Sequence, residues 1–373
     1  MDVIRDMATD PAASAGRVIP PRSPGASASD DALAANHTGI LPDVLGQRVD
    51  SIERVGGGRN SRVYHVRCTA ANYAAKFYFD RTADGRDRLQ VEYSAFDFLW
   101  QRGVRCIPRP VLADPARQVA VFEFINGRPV DASQVSTGDV DQLVSLVRML
   151  RGVAADPASR GLGPAAEAFF SVAGVIGNIM ERQQRIARLD AKGPSYDALR
   201  RFLREEFRPA LEHLGHWARG RGIGNEVELL LDQRTLSPSD LGFHNALREV
   251  DGRLVFLDFE YFGWDDPAKT LCDALLHPRM TLSLELKTHL ARRFASVFDR
   301  DPAWRSRVET VYPLFGLKWC MILLNEFRPQ QLERRRFVDR DPEEATVLQM
   351  RQLEAARGVL HRIMHEHLHF PFW

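Results

Sequence analysis

Cysteine is scarce in this chain: Cys68, Cys106, Cys272 and Cys320 are the only four in 373 residues. They lie far apart, and none forms a C-x-x-C pair, so neither a zinc ribbon nor a thioredoxin-like site is indicated. So few cysteines fit a reducing compartment. An excess of one charge is also missing. Fifty Lys and Arg face 49 Asp and Glu, for a net charge of +1, which argues against a general nucleic-acid binder. Long apolar runs are absent too. The longest, about Val311 to Leu324, contains Lys318 and falls short of the roughly 20 residues a membrane-spanning helix needs. Met1 to Ala15 carries scattered acids and no apolar stretch, unlike a secretory signal. These absences lead us to expect a cytoplasmic protein with no nucleic-acid or membrane partner.

What remains is ordinary for a globular protein: 45% hydrophobic and 27% charged residues. The length suits two domains, or one unit of two lobes. Residues 1–45 stand apart. Ala, Ser, Pro and Gly make up 21 of those 45 positions, and the lack of apolar periodicity predicts a flexible tail. From 46 to 127 the pattern predicts strands with one helix. Strands are expected at Ile52 to Val55, Arg62 to Arg67, Tyr73 to Phe79, Val111-Leu112 and Val119 to Phe124. The helix is expected over Arg86 to Arg102, where Leu89, Phe96, Leu99 and Trp100 recur at helical spacing. From 128 to 373 the chain reads as mostly helical, with one apolar stripe through Leu199, Phe202, Leu203, Phe207, Leu211 and Leu214. Another helix is expected from the Asp341-Pro342 cap to about His365. The interruption at Leu236 to Phe262 reads as loop, strand, Asp251-Gly252 turn and strand.

Three stretches could carry chemistry. Gly56-Gly57-Gly58-Arg59-Asn60-Ser61 joins two strands, and such a loop can hold phosphate oxygens with its N–H groups or be a bare turn. No Gly-Lys-Ser/Thr follows, so it is not a Walker A loop, and the next element is a strand, unlike a dinucleotide fingerprint. Lys76 lies on the third strand. It is either an edge lysine in solvent or an interior cation needing an anion, which Glu92 on the expected helix would supply. The strongest signal is Asp240 and Asn245 followed across a hairpin by Asp258. The hairpin would bring the three together, and two carboxylates and an amide oxygen suit Mg²⁺.

With these residues in this order the chain resembles the aminoglycoside phosphotransferase and choline kinase family, over about 46–370. Asp258-Phe259-Glu260-Tyr261 is especially similar to the metal-binding segment of its choline-kinase-like members. The resemblance implies an α+β, two-lobed, protein-kinase-like fold: a small antiparallel sheet with one helix, and a larger helical lobe. It implies an ATP-dependent phosphotransferase that moves the γ-phosphoryl group to a hydroxyl of a small molecule. By the family's pattern Asp240 is the catalytic base or orienter, and Asn245 and Asp258 hold Mg²⁺. Lys76, partnered by Glu92, meets the α/β-phosphates of ATP, under the Gly56, Gly57, Gly58, Asn60 and Ser61 loop. Glu123, Phe124 and Ile125 form the hinge, where the Phe124 and Ile125 backbone meets adenine.

The chain departs from the family at Pro238, usually a histidine, and from protein kinases at Ser61 and Glu260, both usually glycine there. No activation loop or A-P-E segment follows Asp258, which argues against protein substrates. An inactive nucleotide-binding scaffold and nucleotidyl transfer are the alternatives. Asp266-Pro267 reads as a helix cap, with a contact from Asp265 or Asp266 to a cationic or hydroxylated substrate as the alternative, and Asp273 as a residue facing inward to brace the catalytic loop. His244 reads as loop packing. Lys318, Asn325 and Glu326 are core pairs, solvent-exposed, or part of the acceptor pocket. His361, His365, His367 and His369 lack the partners of a metal site, and Arg334-Arg335-Arg336 reads as a solvated face.

Overall fold

The computed structural model describes residues 28–57, 61–78, 87–222, 226–329 and 345–373. A five-stranded antiparallel sheet forms first: β1 (Val49–Gly57), β2 (Ser61–Cys68), β3 (Asn72–Tyr78), β4 (Pro110–Asp114) and β5 (Val119–Glu123), in the order β1-β2-β3-β5-β4. Strand alternation gives the sheet two apolar faces. Tyr64, Val66, Ala75, Phe77, Val119 and Val121 share one buried cluster. The register sets Val63 opposite Lys76 and His65 opposite Ala74, so Lys76 is on the other face. There the Lys76–Glu92 contact ties the sheet to helix α2 (Arg88–Gln101), and Phe96 of α2 packs edge-on against Phe122.

The first cluster is not left open to water. Helix α1 (Ala28–Leu45) covers it: Leu41 is fully buried there, and His37 stacks on Phe77 at 4.1 Å. The flexible tail expected over 1–45 is therefore corrected for 28–45, while 1–27 lie outside the described residues. Composition suggested flexibility because Ala, Ser and Gly carry little apolar area. What orders this helix is the sheet face it covers.

The second lobe is helical: α3 (Thr137–Ala154), α4 (Val172–Ala187), α5 (Pro194–Phe202), α6 (Arg208–Gly220), α7 (Pro267–Leu276), α8 (Leu284–Ala295), α9 (Trp304–Leu323) and α10 (Ala345–Glu366). The stripe from Leu199 to Leu214 is buried throughout, and one π turn at Leu203–Phe207 joins α5 to α6. The Asp341-Pro342 cap and Arg334 to Arg336 lie outside the described residues.

Short strands interrupt the helices. β6 (Gly127–Pro129) pairs with β8 (Ala246–Glu249), which pairs with β9 (Leu254–Phe256) across the expected Asp251-Gly252 turn, where Gly252 has φ +88°. β7 (Thr235–Ser237) pairs with β10 (Gly263–Asp265). A Cβ on Gly263 would fall 2.5 Å from the backbone of Ala165 and Gly163, so only glycine lets the 163–168 segment lie against this strand. β10 begins five residues after Asp258, which leaves no span for a long loop between Asp258 and that strand. No helix among the described residues is long and apolar enough to cross a membrane.

Candidate functional site

Lys76 joins three elements. Its Nζ donates to Glu92 Oε2 at 2.6 Å and to Asp258 Oδ1 at 2.7 Å. Lys76 and Glu92 are almost completely buried, while the Asp258 side chain keeps 40% of its surface exposed. The interior reading of Lys76 therefore holds. Burial opposes its charge, but the fields of Asp258 and Glu92 outweigh this and raise its pKa. Glu92 also accepts from Tyr78 Oη at 2.7 Å and from the Phe259 N–H at 3.3 Å. One carboxylate thus ties β3 to the segment after β9. Glu260 lies 3.6 Å from Arg88, at the start of α2. A glycine at this position could not make that contact.

The turn after β7 positions the second group. Asp240 Oδ1 meets His244 Nε2 at 3.0 Å and His277 Nε2 at 3.7 Å. The two imidazoles stack at 4.0 Å. Burial pushes the Asp240 carboxyl up, but the His244 hydrogen bond, both imidazole charges and Asn245 prevail and hold it at about 2. Burial, then the neighbouring His244, brings His277 down to about 4. Asn245 Nδ2 donates to the Asp240 carbonyl at 3.0 Å and to its Oδ2 at 3.3 Å. This fixes the amide so that its oxygen points away from Asp240. Asn245 and Asp258 are linked through the backbone, since the Leu257 N–H donates to the Asn245 carbonyl at 2.8 Å.

Four non-glycine residues among those described have positive φ: Gln118, Glu167, Ser239 and Asp258. Asp258 belongs to the Lys76 group and Ser239 precedes Asp240. Ala166, next to Glu167, accepts from Ser239 Oγ at 2.7 Å. Strained backbone of this kind persists where the surroundings over-determine it, and it gathers at functional sites.

A buried network supports the Asp240 turn. Lys269 Nζ donates to Asp265 at 2.7 Å and to Ser239 Oγ at 3.2 Å, and Asp273 lies 3.2 Å away. Burial raises the Asp265 carboxyl to about 6 against the opposing field of Lys269. Asp273 accepts from Trp319 Nε1 at 3.0 Å, and the Trp319 ring meets His277 edge-on at 4.8 Å. Asp273 thus braces the loop, as expected, through Lys269. Asp266 caps α7 by accepting from the Ala268 N–H at 2.9 Å, with Pro267 next.

Two expectations need correction. His244 does more than pack, because it holds the Asp240 carboxylate. At the hinge, the Phe124 N–H already donates to the Asn72 carbonyl at 3.3 Å, so that part of the Phe124 and Ile125 backbone is taken. Glu123 pairs with Tyr73 at the end of β5. Gly56 and Gly57 continue β1, and Ser61 opens β2; Gly58 and Asn60 lie outside the described residues. His367 meets His213 and the Met364 carbonyl, and among the described residues no group of metal-binding geometry includes His361, His365, His367 or His369. Sequence reading missed Tyr78, Glu167, Lys269, His277 and Trp319. Only Tyr78 carried a local signal, the i, i+2 step from Lys76 on one strand.

Carboxylate oxygens of Glu92, Asp258 and Glu260 lie within 4.8 Å of one another. These donors are hard oxygens, the type magnesium prefers.

Neither a protein-family model nor a curated protein matches this sequence. Solved structures do. A spectinomycin phosphotransferase, solved with ADP and spectinomycin, matches with a TM-score of 0.58 at 12% identity, over 84% of this chain and 98% of that one. The choline kinase LicA of Streptococcus pneumoniae matches with a TM-score of 0.56 at 17% identity, over 90% and 99%. An ethanolamine kinase of Plasmodium vivax matches with a TM-score of 0.53 at 14% identity, over 88% of each chain. The chain has the two-lobed, kinase-like α+β fold of the aminoglycoside phosphotransferases and choline/ethanolamine kinases.

Proposed function

We propose that this protein is an ATP-dependent small-molecule kinase that transfers the γ-phosphoryl group to an acceptor hydroxyl, acting in the cytoplasm. The observation that carries this reading is Lys76, fixed between Glu92 and Asp258 at 2.6 and 2.7 Å. A buried ammonium held beside a half-exposed carboxylate suits the phosphates of a nucleotide and their metal. Asn245 and Asp258 would hold magnesium, which when bound neutralises charge on the β- and γ-phosphate oxygens. Lys76 would meet the α/β-phosphates and Glu92 would keep it in place. The Phe124 carbonyl and Ile125 N–H would receive the base.

In the reaction a bond forms between the acceptor oxygen and Pγ while the bond from Pγ to the β-phosphate oxygen breaks. The hydroxyl proton passes to Asp240 and then to water. A carboxyl with a pKa of about 2 is a weak base, so Asp240 acts mainly by aiming the hydroxyl and takes the proton late. The His244 and His277 contacts keep that carboxylate in one orientation. Catalysis then comes from positioning and charge neutralisation.

The test is thermal unfolding with ATP, with and without Mg²⁺, on the wild type and Asp258→Ala. A ligand at 100 times its Kd adds about 2.7 kcal/mol. A magnesium-dependent rise lost in the variant is expected, and Asp240→Asn should keep the rise while losing turnover. No rise at saturating Mg·ATP would reject the reading. A nucleotidyl product by mass spectrometry would replace phosphoryl transfer with nucleotidyl transfer.

A further inference from the structure

Lys318 is 3% exposed on α9. Buried charges are normally paired and hydrogen-bonded, but among the described residues none accepts a hydrogen bond from this ammonium. Its one charged contact within 4 Å among the described residues is Glu167, at 3.6 Å, beyond hydrogen-bond length. Glu167 is already committed to Arg182 at 2.6 Å. Asp273, whose field also reaches Lys318, gives its oxygens to Lys269 and Trp319. The rings of Phe169 and Phe315 stand 5.3 and 5.6 Å from the ammonium.

The position of this lysine gives the observation its meaning. Two short routes join it to Asp240. One runs through its neighbour Trp319 to His277, which lies 3.7 Å from Asp240. The other runs through Glu167 to Ala166, whose carbonyl holds Ser239, the residue before Asp240. Asp240 and Lys318 therefore belong to one contiguous set of contacts in the helical lobe, on a different set of elements from Lys76, Glu92 and the hinge.

We propose that the acceptor is a small hydroxy acid, and that Lys318 Nζ anchors its carboxylate while Asp240 aims its hydroxyl. This rests on the phosphotransfer reading above. A single ammonium with unused donors suits one carboxylate. A cationic acceptor would bring a second positive charge to Lys318, whose nearest carboxylate is already held by Arg182.

The test is acceptor-dependent ADP release with matched sets: glycerate and gluconate, their neutral counterparts glycerol and sorbitol, and the cations choline and ethanolamine. The wild type should favour at least one acid over its neutral match. Removing one partner of a buried charge pair typically costs 2–5 kcal/mol, so Lys318→Met should lower kcat/KM for the acid by about 30-fold or more, chiefly through KM. Lys318→Arg should recover part of it. A magnesium- and ADP-dependent thermal shift retained in both variants would show that the fold and the nucleotide cleft are intact. Preference for neutral or cationic acceptors would overturn the proposal. So would an unchanged KM in Lys318→Met, or no binding or turnover of any acid by protein that binds Mg·ATP. Failure to bind Mg·ATP at all would instead overturn the phosphotransfer reading.

Discussion

Replacing Lys76 by Met tests whether the Lys76 cluster is a buried electrostatic unit. The change keeps much of the side-chain volume and removes the charge. Asp258, 40% exposed, can fall back on water. Glu92, 2% exposed, cannot. It would keep the Tyr78 hydroxyl and the Phe259 N–H but would have no cation. Breaking a buried pair from one side typically costs about 3–5 kcal/mol, because an uncompensated charge stays behind. The loss should depend on pH in a defined direction. Burial raises the folded-state pKa of Glu92 even against the field of Lys76, and without Lys76 it rises further above its unfolded value near 4.3. The variant's native state then holds the Glu92 proton to higher pH than the wild type's, so the deficit grows with pH between the two folded-state values, by about 1.4 kcal/mol per unit at most. Denaturant unfolding of both proteins from pH 5 to 8, followed by far-ultraviolet circular dichroism, would measure it. Adding Glu92→Gln should restore much of the stability and flatten the pH dependence. A deficit below about 1 kcal/mol that did not vary with pH would refute the reasoning and place Glu92 in effective contact with solvent.

His277 should make the protein acid-sensitive. Its pKa falls to about 4 on folding from about 6.5, so the unfolded state binds the proton first. Its contribution is complete above about 6.5, is lost as pH falls toward 4, and amounts to about 3 kcal/mol; His277→Phe should shallow that slope in acid titrations of stability. Leu41→Ala should cost about 2–5 kcal/mol, as truncation of a fully buried leucine does, and a negligible loss by denaturant unfolding would show that α1 does not contribute to the small lobe's core.

The sequence by itself determined the elements and their chemistry. Alternating apolar residues specified the strands, because side chains on an extended chain point to opposite faces. The Asp251-Gly252 turn specified the hairpin, because its glycine tolerates positive φ. Asp240, Asn245 and Asp258 were legible as candidates because they bracket a local hairpin, and the Lys76–Glu92 pair because a lysine between apolar strand residues calls for an anion. Only the tertiary structure decided what meets across long separations. His277 and Trp319 reach the Asp240 turn from α7 and α9, and no local periodicity marks a histidine 37 residues away as a neighbour. Glu167 and Lys318 come together from a loop and a helix whose spacing carries no signal. Residues 28–45 looked like a tail because their composition is small and polar. They are a helix because the sheet's outer face is apolar and requires cover, a constraint that exists only once β2, β3 and β5 lie side by side.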